Sequence, residues 1–329
     1  MKLNNILITG AAGFIGCNFV RYMLKNFQSS HIYSFDKLTY AGNESNLPQD
    51  KNHTFIRGDI CDKALVESVL KKHEIDTIVH FAAESHVDRS IAAPADFVET
   101  NVMGTFVLLE EAKKYWLNEK KWTEKNCRFH HISTDEVYGS LSLTDPPFHE
   151  KTAYAPNSPY SASKAGSDHL VRSFFHTYSL PVTTSNCSNN YGPFQHAEKL
   201  IPTVIRSCLS KQPIPVYGNG SNIRDWLYVE DHCSAIAKIL THGKIGEVYN
   251  IGGKNECDNL TLVKNICALL DELKPAAQKY SHLITYVTDR LGHDFRYAID
   301  NTKIQTELGW EPQHNLQQGL LETIKFYLK

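Results

Sequence analysis

The sequence predicts an α/β fold: a doubly wound, mainly parallel sheet followed by a smaller mixed α/β lobe. Three observations predict it. Strand and helix signals alternate through the first half of the chain, the pattern of a parallel sheet covered on both faces. An apolar strand, Asn5 to Thr9, runs directly into Gly10-Ala-Ala-Gly13-Phe14-Ile15-Gly16 and an amphipathic helix from about Phe14 to Asn26, the strand, glycine turn and helix of a Rossmann-like dinucleotide site. After about Asn186 the texture changes to short strands interrupted by turns such as Gly218-Asn219-Gly220, a composition of breakers rather than of continuous elements.

The elements follow in order. Glycine at the first turn lets backbone amides approach a pyrophosphate, and the helix N-terminus attracts its charge. The spacing is G-x-x-G-x-x-G, a variant of the usual fingerprint. The second strand, His31 to Phe35, ends in Asp36, twenty residues beyond Gly16. A carboxylate there takes a ribose 2′-hydroxyl and repels a 2′-phosphate, which favours NAD over NADP. Strand Thr54–Arg57 leads into Gly58-Asp59-Ile60, and a helix is expected from about Lys63 to His73. The β-branched run from Asp76 to Phe81 leads into Ala82-Ala83, and a long helix is expected from Pro94 to about Trp116. Strand Phe129–Ile132, a helix opened by Ser158-Pro159, and strand Pro181–Ser185 complete the alternation. Ligands of such sheets bind beyond the carboxyl ends of the strands. Gly10, Asp36, Asp59, Ala82 and Thr134 each follow a strand, so the fold gathers them on one edge. Residues 1–185 plus about 223–251 are expected to form the dinucleotide domain, with Arg224 to His242 returning to it as a strand and a helix. Residues of about 186–222 plus 252–329 are expected to form the substrate lobe.

With 329 residues the chain is long enough to bury ~75% of its unfolded surface, at the size where single cores divide. Its 34 basic and 36 acidic residues give a formal charge of −2, so nucleic acid and membrane surfaces are poor partners. No apolar run approaches the ~20 residues of a membrane span. The first residues do not form a signal peptide. Eight scattered cysteines without C-x-x-C read as reduced thiols of a cytoplasmic protein. No metal is expected despite sixteen histidines: His130 and His131 are adjacent in a strand and point to opposite faces, and no H-x-x-x-H spacing occurs.

Two further segments carry chemistry. Tyr160 and Lys164 are four residues apart in a helical stretch, on one face. Forming tyrosinate at pH 7 costs about 4 kcal/mol, and a neighbouring ammonium reduces that cost. An alcohol oxidised by hydride loss needs such a base. Spacing alone is common by chance; its weight comes from company with a dinucleotide site. Ser133-Thr134-Asp135-Glu136 places an adjacent acid pair just past a strand. The pair reads either as helix-start acids that satisfy free amides or as proton-transfer groups, one of them kept protonated by its neighbour and by burial.

The glycine turn, Phe81-Ala-Ala-Glu84-Ser85-His86-Val87-Asp88-Arg89-Ser90, Thr134-Asp135-Glu136, Tyr160-Ser-Ala-Ser-Lys164, Cys187-Ser-Asn189-Asn190-Tyr191-Gly192-Pro193 and Ile223-Arg224-Asp225-Trp226-Leu227 together resemble the extended short-chain dehydrogenase/reductases, and among them the nucleotide-sugar 4,6-dehydratases. The Asp-Glu pair after Thr134 is the selective element; related epimerases differ there. The resemblance implies a hydro-lyase that oxidises C4 of a dTDP-glucose substrate (UDP-glucose being the alternative), eliminates water across C5–C6 and returns hydride to C6. The product is a 4-keto-6-deoxy sugar of the kind used for rhamnose and other deoxysugars. Thr134, Asp135, Glu136, Tyr160 and Lys164 are the implied catalytic residues. NAD, regenerated each turnover, is implied to contact Gly10, Gly13, Phe14, Ile15, Gly16, Asp36, Lys37, Asp59, Ile60, Phe81, Ala82, Ala83, Ser85, Thr100, Ser133 and Asn190 besides Tyr160 and Lys164. The catalytic residues Thr134, Asp135, Glu136 and Tyr160 also touch the sugar. Further substrate contacts are implied at Ser85, His86, Asn189, Lys199, Leu200, Pro215, Tyr217, Arg224, Asn259, Arg290 and His293. Arg224 and Arg290 suit a diphosphate, since guanidinium forks onto phosphate oxygens. Leu291 departs from the proline of the usual Asp-Arg-Pro-Gly-His loop. A homodimer through the helices near Pro94–Trp116 and Tyr160–Tyr178 is also implied.

Overall fold

The computed structural model describes residues 2–289 and 294–329. In chain order the first elements are β1 (Asn5–Thr9), α1 (Phe14–Asn26), β2 (His31–Asp36), β3 (His53–Arg57), α2 (Lys63–Lys72), β4 (Thr77–His80), α3 (Val87–Ala92), α4 (Pro94–Phe97) and α5 (Thr105–Ala112). The expected long helix is one continuous body in which π-type turns at Val98–Gly104 and Lys113–Glu119 flank α5. Such turns interrupt helices at working sites, and here the first places Asn101 inward. Its amide accepts from Glu84 N at 2.8 Å, donates to Glu84 O at 3.0 Å and donates to Ser163 Oγ at 2.8 Å. The loop after β4 is thereby tied to the helix that carries Tyr160 and Lys164.

The chain continues as β5 (Arg128–Thr134), α6 (Pro159–Tyr178), β6 (Val182–Cys187), β7 (Asn189–Tyr191), α7 (Leu200–Ser210), β8 (Ile214–Tyr217), β9 (Ile223–Tyr228), α8 (Val229–His242), β10 (Val248–Ile251), β11 (Glu256–Asp258), α9 (Asn259–Leu273), β12 (Ile284–Val287), α10 (Thr302–Leu308) and α11 (Leu316–Tyr327). Ser158 caps α6 by accepting from Ser161 N, and Pro159 opens it, a sound start for a helix because its missing N–H is not needed there. His130 and His131 do face opposite sides of β5: one ring bonds Thr183 and Ser185, the other Ser167.

Among the described residues, seven strands form one parallel sheet in the order β10-β6-β5-β4-β1-β2-β3. The order reverses between β1 and β4, and Thr9 of β1 pairs with Phe35 of β2 on one side and with His80 of β4 on the other. That is the switch point where a crevice opens. One face is covered by a core built around Phe19, Met23, Cys233 and Ile236, the other by one built around Leu70, Leu109, Trp116 and Phe129. A third core, including Ile205, Val216, Leu262 and Ile324, lies in the C-terminal region.

One expectation is corrected. The strand at Ile223–Tyr228 does not return to the large sheet. It runs parallel to β7 (Asn189↔Trp226) and antiparallel to β11 (Glu256↔Asp225). The edge of β6 that it would need is taken by β10 (Val248↔Thr184). The following helix, α8, does pack with α1 on the large sheet. Residues Ile304, Leu308 and Trp310 join that core too, so the last third of the chain serves both regions. No helix among the described residues is long and apolar enough to cross a membrane.

Candidate active site

The carboxyl ends of β1, β2, β4 and β5 open into one cavity of about 350 Å³. The fit of a dinucleotide is decided by its floor. Gly10 has φ +66, and a Cβ there would lie 2.6 Å from Ala82 N. A Cβ at Gly16 would collide with Gly10 O. Only glycine lets the turn, the strand β4 and the helix meet so closely. Gly13 is the N-cap of α1 and offers no side-chain cap, so the first amides of the helix are left for an anion. Asp36 is buried beside this turn; its Oδ2 accepts from Ala12 N at 2.9 Å and its Oδ1 from Leu38 N at 2.7 Å. Burial pushes its carboxyl above the usual range against those two donors. Lys37 pairs with Asp59 at 2.6 Å, closing the far wall. The residues present therefore fit a dinucleotide with a free ribose 2′-hydroxyl.

At the other end of the cavity stand the chemical groups. Thr134, the last residue of β5, donates from Oγ1 to Asp135 Oδ1 at 3.3 Å and accepts from Glu136 N at 3.3 Å. The second reading of the acid pair, as helix-start acids, is only half met: Thr134, not an acid, caps the short turn at Asp135–Tyr138. Asp135 is 2% exposed, and its Oδ2 is buried without a hydrogen-bond partner. Burial, then the carboxylates of Glu136 and Asp225, holds it well above the usual carboxylate range, while Arg224 opposes them. Asp135 consequently holds its proton more tightly than an ordinary carboxyl group does.

Tyr160 and Lys164 project from the first turns of α6 into the same cavity. Burial, then Glu136, raises the Tyr160 phenol well above its usual range, and a hydrogen bond with Thr134 pulls it down. Lys164 Nζ donates to Ile132 O at 2.8 Å. Burial lowers its affinity for a proton, and Asp168 restores part of it.

Of the residues read from the sequence, the cavity brings together Gly10, Gly13, Phe14, Ile15, Gly16, Asp36, Lys37, Asp59, Ile60, Phe81, Ala82, Ala83, Ser85, Thr100, Ser133, Asn189, Asn190 and Lys199 with the five around Thr134. Others stand apart from it. His86 caps α3 and lies 3.7 Å from Glu198. Leu200 opens α7, and Pro215 and Tyr217 lie on β8. Arg224 donates to the carbonyls of Ile223, Phe295 and Asp294 at 2.8, 3.2 and 2.9 Å. Asn259 joins it through Asn222, which accepts from Asn259 N at 3.1 Å and donates to Asp294 O at 3.2 Å. Arg290 and His293, with Leu291, lie outside the described residues.

Sequence reading missed the loop of Thr39, Tyr40 and Gly42 and the group of Glu84, His196 and Glu198, all of which line the cavity. A signal was available for the first: Gly42 sits where a Cβ would be 2.9 Å from Asp36 Oδ1, so the glycine six residues past the strand-end acid marks a loop folding back over it. The second group had no local signal. Arg89 stacks on Tyr40 at 3.8 Å and His196 packs edgewise on it, contacts between segments far apart in sequence. No group of three or more His, Cys, Asp and Glu among the described residues is placed to hold a metal ion.

Comparison with known proteins points the same way as this geometry. The family described as GDP-mannose 4,6 dehydratase matches residues 7–323. The dTDP-glucose 4,6-dehydratase of Salmonella typhimurium is 54% identical over 336 residues, covering 98% of this chain and 92% of that relative. The crystal structure of dTDP-glucose 4,6-dehydratase from Bacillus anthracis in complex with NAD superposes with a TM-score of 0.88 at 46% identity, covering 99% of this chain and 96% of that one. The Streptomyces venezuelae dTDP-glucose 4,6-dehydratase, with NAD and TYD bound, gives 0.89 at 44% identity over 98% of this chain and 97% of that one.

Proposed function

Because the chain belongs to the GDP-mannose 4,6 dehydratase family and groups with its dTDP-glucose 4,6-dehydratases, we propose that the cavity carries out the NAD-dependent dehydration of dTDP-glucose to dTDP-4-keto-6-deoxyglucose. The chain is a hydro-lyase of nucleotide-sugar metabolism. The observation that carries the residue assignment is the meeting of a buried Asp135, its proton affinity raised, with Glu136, Thr134, Tyr160 and Lys164 at the carboxyl end of β5.

NAD, when bound, supplies the hydride acceptor for C4, the hydride later delivered to C6, and a positive charge that favours the Tyr160 phenolate. Gly10, Gly13 and the open N-terminus of α1 hold its pyrophosphate, and Asp36 its adenosine ribose. Tyr160 takes the O4 proton; Lys164 stabilises the phenolate, and Thr134 hydrogen-bonds O4. A ketone at C4 makes the C5 proton acidic. Glu136 removes that proton, and Asp135, with its raised proton affinity, protonates the departing C6 hydroxyl; as hydride reaches C6, the proton held by Glu136 returns to C5. Such an elimination requires one group that accepts a proton and one that donates it. Ser85, Asn189 and Lys199 are assigned to the nucleotide sugar within the cavity. Arg224 and Asn259, which do not line the cavity, keep their assignment from the resemblance, as do Arg290 and His293. The two-lobe division, near residues 186 and 252, is proposed with β9 reassigned to the substrate lobe.

The chain is further proposed to work as a cytoplasmic homodimer. Its eight cysteines are free thiols. Val98 and Met103 in the π-type turns before α5, Phe106 of α5 and Tyr178 of α6 stand exposed, apolar area that a second copy would cover. A Phe106→Glu variant should then sediment as a monomer.

Deuterium at C4 of dTDP-glucose tests the reaction. It should be recovered in the C6 methyl group of the product. Loss of the label to solvent would overturn the reading. Turnover of dTDP-, UDP-, CDP- and GDP-hexoses by the same enzyme tests the base.

A further inference from the structure

A buried acid beside Lys164 has no part in the steps above. Asp168 lies one turn beyond Lys164 on the same face of α6 and is 5% exposed. Its Oδ2 accepts from Ser133 Oγ at 2.7 Å and from Tyr154 OH at 2.9 Å. His131 Nε2 lies 3.1 Å from its Oδ1. Asn186 Nδ2 donates to Tyr154 OH at 3.2 Å and fixes the phenol. The contacts of Lys164 and Asp168 therefore fall on consecutive residues of β5: Lys164 on the Ile132 carbonyl, Asp168 on the Ser133 hydroxyl. Thr134, Asp135 and Glu136 follow at once.

An ammonium in this place has few sources of support. On β4 and β5, burial keeps the His80 and His131 rings neutral, with the Lys164 charge acting in the same direction, so neither supplies it with an anion. On β6, burial holds the Cys187 thiol up at about 12. Burial and neighbouring carboxylates raise the proton affinity of Asp135, and burial likewise holds Tyr154, Tyr138 and Tyr160 protonated. Glu136 lies beside Tyr160 on the cavity side, and His169 faces Asp168 from its own helix. Among the groups beneath the cavity, Asp168 is the anion that faces Lys164.

We propose that Asp168 is a positioning residue for this site: its carboxylate keeps the Lys164 side chain charged and anchors the strand end that presents Thr134 and the acid pair. This rests on Tyr160 and Lys164 being the oxidising pair. Burial pushes Asp168 up to about 6, against Lys164, Ser133 and Tyr154, so the anion is present at neutral pH and is lost below that value. The sign follows. A group whose charge supports Lys164 should produce an acid limb in the C4-oxidation rate, falling as Asp168 takes up its proton.

The test uses the full chain with its bound NAD and dTDP-glucose, and reads C4 oxidation in a single turnover across pH. Asp168→Asn keeps acceptors for Ser133 and Tyr154 but removes the charge. C4 oxidation should slow by about tenfold or more, and its alkaline limb should move down by about one pH unit as Lys164 releases its proton more easily; NAD content should not change. Asp168→Glu should restore both the rate and the limb. Tyr154→Phe removes one donor that stabilises the anion, so the acid limb should move to higher pH while the alkaline limb stays. That arm stands even where Asp168→Asn does not fold. An Asp168→Asn enzyme with the wild-type rate, or a slowed one with unmoved limbs, overturns the proposal, as does a Tyr154→Phe enzyme whose acid limb stays in place. A Tyr160→Phe enzyme that still oxidises C4 would instead overturn the underlying assignment, so the two failures are distinguishable.

Discussion

A Cβ placed on Gly10 would lie 2.6 Å from the backbone nitrogen of Ala82. The first strand's turn and the end of β4 thus meet by backbone alone, directly under the cavity that joins the glycine turn to the acid pair. Gly10 also has φ +66, where an L side chain is strained by ~1–2 kcal/mol. Gly10→Ala should therefore lower stability by about 2–4 kcal/mol, clash and strain together. It should also yield enzyme with little bound NAD. Calorimetry and the nicotinamide content of the purified protein measure the two effects.

Asp36 receives two backbone amides and lies at the end of β2, beside the glycine turn. Asp36→Ala deletes the acceptor for those amides and the partner of a ribose hydroxyl. Hydrogen bonds to charged groups contribute about 1.5–3 kcal/mol, so NAD affinity should fall by tenfold or more. NADP, freed from carboxylate repulsion, should lose less. Equilibrium binding of both dinucleotides to apo-enzyme gives the ratio.

Glu136→Gln removes the group assigned to the C5 proton and leaves the hydride step intact. Asp135→Asn removes the proton assigned to the leaving hydroxyl. Both variants should oxidise C4 and then stall, with water loss slowed by about 10²–10⁴. Transient NADH that persists in a single turnover is the signature. Release of product at the wild-type rate by both variants would remove these residues from the mechanism.

The pH dependence has a definite sign. Asp135 is held above its ordinary 3.8 by burial first and by Glu136 and Asp225 next. As a proton donor it works below its raised value, so the elimination rate should fall as pH rises through that value. Asp225→Asn removes one of the raising charges and should shift this fall to lower pH. The same raised affinity means that the folded state binds a proton the unfolded chain has released. Stability should therefore decline as pH rises from the ordinary value through the raised one, and Asp135→Asn should flatten that decline in denaturant titrations at several pH values.

Much of this architecture is local information. The run from Asn5 to Gly16 states strand, turn and helix in consecutive residues, and the helix observed spans Phe14–Asn26. Asp36, Asp59, Ala82 and Thr134 could be assigned to one edge because each ends a strand of a parallel sheet, and direction in such a sheet is fixed by alternation with helices. The Tyr160–Lys164 pair is legible because helical spacing is a short-range property. Strand Ile223–Tyr228 was misplaced because its own residues suit either sheet; the choice was made by β10, which occupies the edge of β6.

The sequence by itself thus determined the cofactor turn, the parallel character of the main sheet and the presence of an acid pair after a strand. Tertiary structure alone decided that Asp135 has a raised proton affinity, that Tyr40 and Glu198 line the cavity, and that Asp168 faces Lys164. Proton affinity and enclosure depend on what desolvates a group and which charges converge on it from distant segments, and neither quantity is a property of neighbours in the chain.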